Sequence, residues 1–177
     1  MTAIPTTQSK SRLVMGIDPG LSGAVAIVSH GLKGPRLVGV WDMPTTEPAI
    51  RGAKGPKGKR NINVPELSIL IDSHSRALSH AVIEDVGVMS GNEGTVSMFR
   101  FGMATGIVHG ILGGCFVPTL LTKPAVWKAL MGLNHDKNLS REKAAALFPD
   151  YAGNFSRKKD DGRAEACLLA VFGGRLL

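Results

Sequence analysis

The chain has 177 residues, which suits one domain with a single sizeable core. A hydrophobic fraction of 44% argues against a disordered chain, and no apolar stretch approaches the roughly 20 residues of a membrane span. The formal net charge of +7 favours a polyanionic partner, most commonly nucleic acid, although a basic protein without such a partner is the alternative. Only two cysteines, Cys115 and Cys167, are present, both in apolar runs, so we expect free thiols in a reducing cytoplasm, with an organelle left open.

The N-terminal part of the chain predicts a flexible tail followed by three strands. Residues 1–11 are polar and lack an apolar signal core. Residues 12–18, 22–29 and 36–42 are apolar or alternate with a period of two, and short breaks separate them. Short connections favour antiparallel neighbours, so these strands predict a meander.

The rest of the chain alternates helices with short strands. It predicts a long loop at 44–63, helices at 64–79, 95–113, 124–131, 140–147 and 161–172, strands at 81–84 and 115–120, and a polar loop at 149–159. A meander that passes into βαβ units predicts a five-stranded mixed sheet flanked by helices. This order resembles the RNase H-like architecture, and we expect one such domain over 12–177, without a second domain.

Acidic residues stand out at the ends of apolar segments. Asp18 ends the first strand before a Pro-Gly pair, and Glu84 ends the strand at 81–84 in the same way. Asp161 and Glu165 are four residues apart and share one face of the last helix, and Asp160 directly precedes them. If the two strands are neighbours, their carboxylates converge at one edge of the sheet.

Such a set of acids predicts a site for hard divalent cations. Mg²⁺ prefers oxygen ligands, and two ions about 4 Å apart can activate water and stabilise the leaving oxygen of a phosphodiester. Each acid alone has an ordinary explanation. Asp18 suits a turn, Glu84 suits a solvated strand end, and Asp160 with Asp161 suits a helix N-terminus. The ordered set together favours catalysis.

Several motifs in order resemble the RuvC family of Holliday-junction resolvases. They are Met15-Gly-Ile-Asp-Pro-Gly-Leu-Ser-Gly-Ala-Val-Ala-Ile27, Ile83-Glu-Asp-Val86, Gly102-Met-Ala-Thr-Gly106 and Asp161-Gly-Arg-Ala-Glu-Ala-Cys-Leu-Leu-Ala170. The segment Ser140-Arg-Glu-Lys-Ala-Ala-Ala-Leu-Phe-Pro149 is similar to phage-type and organellar members. The resemblance covers almost the whole chain from residue 12.

The resemblance implies a homodimer that resolves four-way DNA junctions by symmetric nicks with 5′-phosphates. It implies two Mg²⁺ or Mn²⁺ ions per site, held by Asp18, Glu84, Asp161 and Glu165. The final acids are four residues apart here, whereas the bacterial pattern often has two Asp three apart, so either Asp160 or Asp161 completes the ligand set. The family's aromatic wedge is missing after the second acidic motif, and Met89 is the candidate apolar wedge.

Clusters of basic residues predict contacts with DNA phosphates. The family uses lysines after the fifth strand for DNA contact and transition-state charge, and Lys123 and Lys137 are the leading candidates, with Lys123 in the catalytic set. The alternative for each cluster is a solvated loop. The candidate DNA-binding cations are Arg51, Lys54, Lys57, Lys59, Arg60, Lys123, Lys128, Lys137, Arg141, Lys143, Arg157, Lys158 and Lys159.

A stripe of glycines runs along one face of the predicted helix at 95–113. Gly102, Gly106, Gly110 and Gly114 recur every four residues, which permits close backbone approach. Either this face packs on the sheet or it forms a subunit interface.

Three other functions compete with junction resolution. An actin-like phosphotransfer ATPase also begins with an Asp-x-Gly hairpin, but it needs two lobes and a longer chain. A non-catalytic junction-binding module would not need the acids. A general branched-DNA nuclease of a phage would share the active site and differ in its range of substrates.

Overall fold

The computed structural model describes residues 11–46, 50–52, 55–57, 60–85 and 94–176. Its seven strands are β1 (Arg12–Asp18), β2 (Ala24–Gly31), β3 (Gly34–Asp42), β4 (Ile50–Gly52), β5 (Gly55–Lys57), β6 (Leu78–Glu84) and β7 (Thr119–Thr122). Five of them form one sheet in the order β3-β2-β1-β6-β7, and β4 pairs with β5 in a separate hairpin.

The described residues also form five α-helices. They are α1 (Val64–Ser75), α2 (Thr95–Gly114), α3 (Pro124–Leu130), α4 (Lys137–Leu147) and α5 (Asp161–Gly174), with 3-10 helices at Pro149–Phe155 and Lys158–Asp160. Side-chain caps begin two of the helices. Asn63 accepts the Glu66 backbone N–H at the start of α1, and Asp136 accepts that of Asn138 at the start of α4, so backbone groups that lack helical partners are satisfied.

The sheet is mixed, as the order of elements predicts. Strand β2 runs antiparallel to β1 and β3, whereas β6 runs parallel to both β1 and β7. Ile17 pairs with Ile83 across β1 and β6, so the next residues, Asp18 and Glu84, leave the sheet at the same edge. The prediction of a five-stranded mixed sheet flanked by helices is confirmed.

Alternation along the central strands divides the core into two layers. Val14 and Val28 face the helix α5, whereas Met15, Ile17 and Ile27 face the layer that contains α1 and α2. Helix α5 is buried on nearly all sides from Ala164 to Gly173, which explains why its sequence is apolar from Ala166 onward.

Glycine allows α5 to lie directly on the backbone of β1. A Cβ atom added at Gly16 would lie 2.0 Å from the Ala166 carbonyl oxygen and 2.5 Å from the Ala170 backbone nitrogen. Any side chain at this position would push the helix away from the strand. This contact therefore sets the distance between α5 and the strand that ends in Asp18.

Several predicted boundaries are wrong. The helix predicted at 64–79 ends at Ser75, because β6 already begins at Leu78 to pair with Leu13 of β1. The strand predicted at 115–120 lies instead at Thr119–Thr122. Helix α2 continues to Gly114 and ends in a turn in which Phe116 has a φ of 55°, and only then does the chain extend.

The two predicted loops also contain regular structure. Within 44–63, β4 and β5 form a hairpin and Thr45 bridges to Ile62, and both 3-10 helices lie within residues 149–160. Turn and helix bonds satisfy backbone groups that composition alone does not assign. The predicted tail, except Ser11 at its end, lies outside the described residues.

Candidate functional site

Two neighbouring strands deliver the first two acids of the site. Asp18 ends β1 and Glu84 ends β6, directly after the paired Ile17 and Ile83. Strand β7 reaches the same edge, since Thr122 pairs with Glu84 and is followed by Lys123. Parallel strands present their carboxyl ends at one edge of the sheet, and this is where ligands commonly bind in such folds.

Asp18 lies in a desolvated position in which its negative charge is disfavoured. Burial, together with the nearby carboxylates of Glu165 and Glu84, raises the pKa of Asp18 to about 6, while the Gly20 backbone N–H opposes the shift. This N–H donates to Asp18 Oδ1 at 3.3 Å. Asp18, Glu84 and Glu165 are therefore close enough for each carboxylate to raise the pKa of a neighbouring one.

Helix α3 supports two of the acids with consecutive residues. The indole Nε1–H of Trp127, a fully buried side chain, donates to Glu84 Oε1 at 2.8 Å. Burial raises the pKa of Glu84, and this hydrogen bond lowers it in part. The next residue, Lys128, donates from Nζ to Glu165 Oε1 at 2.8 Å. Helix α3 therefore orients carboxylates that come from both β6 and α5.

Helix α5 supplies Asp161 and Glu165 from one face, as their spacing predicts. A Cβ atom added at Gly162 would lie 2.6 Å from the Ser22 carbonyl oxygen and 2.8 Å from Gly23 Cα. Glycine thus lets the start of α5 touch the turn between β1 and β2. Asp161 and Asp18 consequently line the same cavity of about 290 Å³.

Asp160, the other candidate for the last ligand, does not line the Asp18 cavity. It is buried and accepts bonds from the backbone N–H and the guanidinium of Arg157, which hold the pKa of Asp160 below its usual range. It lines a second cavity with Arg60 and Lys159. Of the two candidates for the last ligand, Asp161 is the one that shares a cavity with Asp18.

Cations lie among the acids. Arg141 donates to Asp161 at 3.0 Å, and Lys137 Nζ lies 3.9 Å from the same carboxylate. The charge of Lys137 also lowers the pKa values of Asp18 and Glu84, so this one ammonium group acts on three of the acids. Electrostatic attraction thus balances part of the acidic charge.

The donor set suits a hard divalent cation. It consists of carboxylates from β1, β6 and α5, and the neighbouring carboxylates of Glu84 and Glu165 disfavour the charged form of Asp18 unless a cation is present. In the part of the chain that the structure describes, no three His, Cys, Asp or Glu side chains are oriented to hold an ion as they stand. Glu165 and Asp161 point to Lys128 and Arg141 instead, so a bound cation has to take the place of these partners.

The remaining predicted cations differ in how far their side chains are exposed. Lys158 and Lys159 are exposed and line the Asp18 cavity, and Lys123 is exposed at the start of α3. The side chains of Lys128 and Arg141 are only 13% and 15% exposed because they bind acids of the site. Lys143 is half-buried on α4.

Other predicted residues lie outside the description. Lys54, Lys59 and Met89 are outside the described residues, as are the side chains of Arg51 and Lys57. The wedge role of Met89 and the DNA contacts of these cations stay predictions.

Two features of the site are absent from the sequence-based prediction. Trp127 was not assigned a role, although it directly precedes a candidate lysine. Arg163 forms a bidentate pair with Asp42, with N···O distances of 2.5 and 2.7 Å, across more than a hundred residues of sequence. No local pattern signals this pair, because it arises only when α5 packs beside the end of β3.

Comparison with solved structures shows which fold the chain has. The Thermus thermophilus RuvC structure is similar, with a TM-score of 0.61 and 21% identity over 93% of this chain and 96% of that chain. T. thermophilus RuvC in complex with a Holliday junction substrate gives a TM-score of 0.60 and 17% identity over the same shares. The yeast mitochondrial Holliday junction resolvase Ydc2 gives 0.54 and 18% over 98% of this chain and 80% of that chain.

These similarities confirm the expected RNase H-like fold of RuvC. No family model and no curated protein matches the sequence.

Proposed function

We propose that the protein is a divalent-metal-dependent DNA endonuclease that resolves four-way junctions. The observation that carries the proposal is that Asp18 and Glu84 leave the sheet at the same edge, where Asp161 lines the Asp18 cavity and where burial and the nearby carboxylates of Glu84 and Glu165 raise the pKa of Asp18. Structures with this fold include a RuvC complex with a Holliday junction substrate, which supports junction DNA as the substrate.

The four carboxylates would hold a pair of Mg²⁺ or Mn²⁺ ions, which supply a hydroxide nucleophile and stabilise the leaving oxygen of the phosphodiester. The protein's own residues position these groups. Trp127 orients Glu84, and the glycine at 162 places Asp161 beside Asp18. Lys137, Lys158 and Lys159 line the same cavity and attract the DNA backbone to it.

Resolution of a junction requires two cuts, and we propose that a homodimer makes them. Helix α2 meets the length and hydropathy of a membrane span, yet Ala104, Val108 and Leu112 bury one face of it in the core. The opposite face is apolar and exposed, with Phe99 at 71% exposure and Met103 at 40%. A second copy of this chain would cover that face, with the two-fold symmetry that paired cuts require.

Incubation with a labelled four-way DNA junction, with and without Mg²⁺, tests the activity. We expect symmetric paired nicks in Mg²⁺ and none in EDTA. Asp18→Asn and Glu84→Gln should reduce cleavage at least a thousandfold, about the size expected when a catalytic group is lost, while junction binding stays intact or tightens. The reason is that each variant removes a ligand and also a negative charge near the DNA.

Matched controls are Asp72→Asn on α1 and Glu142→Gln on α4, both exposed acids outside the site, which should cut normally. Retained cleavage in Asp18→Asn and Glu84→Gln would refute the carboxylate assignment. Binding without any cutting by the unaltered protein would indicate a junction-binding module. Equal cutting of flaps and forks would indicate a general branched-DNA nuclease, and ATP turnover without DNA would indicate a phosphotransfer enzyme.

A further inference from the structure

A second cavity lies beside the Asp18 cavity and has no part in the metal site. It has a volume of about 370 Å³, which is within the size range of small-ligand sites. The end of β3, the turn between β1 and β2, and the segment before α5 form its walls. The charged residues that line it are Asp42, Arg60, Lys159 and Asp160.

The charges around this cavity favour an anion. Asp42 is paired with Arg163 and Asp160 with Arg157, so both acids are already neutralised, and the pairing lowers the pKa of each. Arg60 and Lys159 are exposed and form no salt bridge among the described residues. With Arg157 and Arg163 neutralising the two acids, the net positive charge at the cavity comes from the exposed side chains of Arg60 and Lys159.

The second cavity directly adjoins the Asp18 cavity. Ser22, Gly23 and Lys159 line both, so the two cavities border the same turn and share one lysine. The backbone of a DNA strand carries one phosphate per nucleotide. Because the two cavities share lining residues, a strand with one phosphate in the Asp18 cavity has a neighbouring phosphate that can enter the second cavity.

We propose that this second cavity binds the phosphate next to the scissile one on the same strand, through Arg60 and Lys159. The proposal rests on the proposed nuclease function and adds a subsite to it. The bidentate Arg163–Asp42 pair holds the end of β3 against α5 and so keeps one wall of the cavity in place. Arg163 and Asp42 are positioning residues here, because their charged groups are already paired with each other and do not bind the DNA strand.

Neutral methylphosphonate linkages test the subsite one phosphate at a time. The cleavage-deficient Asp18→Asn protein is titrated with junctions that carry a single methylphosphonate at each linkage around the cut. Neutralising the linkage next to the scissile one should weaken binding roughly tenfold, the size of one lost contact to a charged group. In a variant that also carries Arg60→Gln and Lys159→Gln, the same methylphosphonate should change the dissociation constant less than twofold.

Lys33→Gln is the matched control, because Lys33 is exposed in the turn between β2 and β3 at the opposite end of these strands. It should leave the tenfold effect of the methylphosphonate unchanged. Equal weakening by the methylphosphonate in the double variant, or no sensitive linkage at all in a protein that binds and cuts junctions, would overturn the subsite alone. Failure of the unaltered protein to bind junctions would overturn the nuclease as well.

Discussion

Asp18 is an acid kept where the protein disfavours its charge. Burial and two neighbouring carboxylates raise its pKa to about 6 from an ordinary value of 3.8. A shift of about two pKa units corresponds to about 3 kcal/mol. An acid whose only role is to close a turn gains no stability from a buried position near other carboxylates. The disfavoured charge of Asp18 instead suits a site in which a bound cation neutralises it.

The raised pKa predicts how Asp18 affects stability without metal. Between about pH 4 and pH 6 the folded state binds a proton at Asp18 that the unfolded state has released, so the contribution of Asp18 to stability falls as the pH rises through this range. Above pH 6 the full penalty remains. Asp18→Asn should therefore raise the free energy of unfolding at pH 7.5 by up to about 3 kcal/mol. Urea denaturation in EDTA measures this.

The advantage of Asp18→Asn should shrink to near zero at pH 4, where the native Asp18 is protonated. Asp72→Asn provides the comparison, since Asp72 is an exposed acid on α1. An Asp18→Asn protein that is no more stable than the unaltered protein at pH 7.5, or equally favoured at both pH values, would contradict this account of the site.

Trp127 shows how a core residue also serves the site. Its ring fills the core beneath α3, and its N–H fixes one oxygen of Glu84. Because Lys128 follows it and pairs with Glu165, a shift of α3 moves the partners of two carboxylates at once.

Among the helices, α5 contributes most directly to the site. It crosses β1 at Gly16 and touches the turn between β1 and β2 at Gly162, so two close contacts set its position. Its first turn then brings Asp161 beside Asp18, and its second places Glu165 near Glu84. The geometry of the site therefore depends on residues that carry no charge.

Gly162→Ala tests this dependence. The added methyl group meets backbone atoms of Ser22 and Gly23, which cannot rotate away, so α5 has to move. We expect a loss of about 1–3 kcal/mol in the free energy of unfolding, typical of overpacking, and a fall in cleavage that exceeds any fall in junction binding. Urea denaturation and the junction assay measure the two effects.

Gly153→Ala is the control for this substitution, because a Cβ atom there meets no described atom within 4 Å. It should change stability by less than about 0.5 kcal/mol, as is usual for surface positions. Equal stability and cleavage in Gly162→Ala and the unaltered protein would mean that α5 does not need its close contact with the turn.

At the scale of the whole molecule, the outer face of α2 is an exposed apolar surface, on which Phe99 and Met103 are 71% and 40% exposed. Added Cβ atoms at Gly102, Gly106 and Gly110 meet no described atom within 4 Å, so this stripe does not pack on the sheet. Of the two interpretations of the glycine stripe, packing on the sheet is wrong, and the subunit interface stays a prediction.

Phe99→Glu tests the interface. Burial of a Phe side chain contributes about 1.5–3 kcal/mol, and a two-fold dimer buries two, so the substitution should weaken association roughly a hundredfold or more. Sedimentation measures the oligomeric state. We expect a dimer for the unaltered protein and a monomer for Phe99→Glu, together with loss of paired nicks.

Leu32→Glu makes the same change at a side chain that is 93% exposed in the turn between β2 and β3, and it should stay dimeric. A monomeric unaltered protein, or a Phe99→Glu protein that remains a dimer, would refute the proposed assembly.

Local patterns determined much of this protein. Period-two alternation predicts β3, and the apolar runs that end in Asp18 and Glu84 predict two strands whose ends bring carboxylates to the edge of the sheet. The spacing of Asp161 and Glu165 puts both on one helix face. These features could be predicted because each depends on neighbours within a few residues, whose geometry the backbone periods impose.

Packing between distant segments decided the rest. The two candidate ligands Asp160 and Asp161 line different cavities that both border the Ser22–Gly23 turn, and the Asp42–Arg163 and Trp127–Glu84 pairs join elements far apart in the chain. The orientation of Lys128 and Arg141 toward acids follows from the same packing. Sequence spacing carries no information on these contacts, because they form only when α3 and α5 pack against the sheet. Packing removes water from these charged groups, so a buried charge is stable only beside an opposite charge or a hydrogen-bond partner.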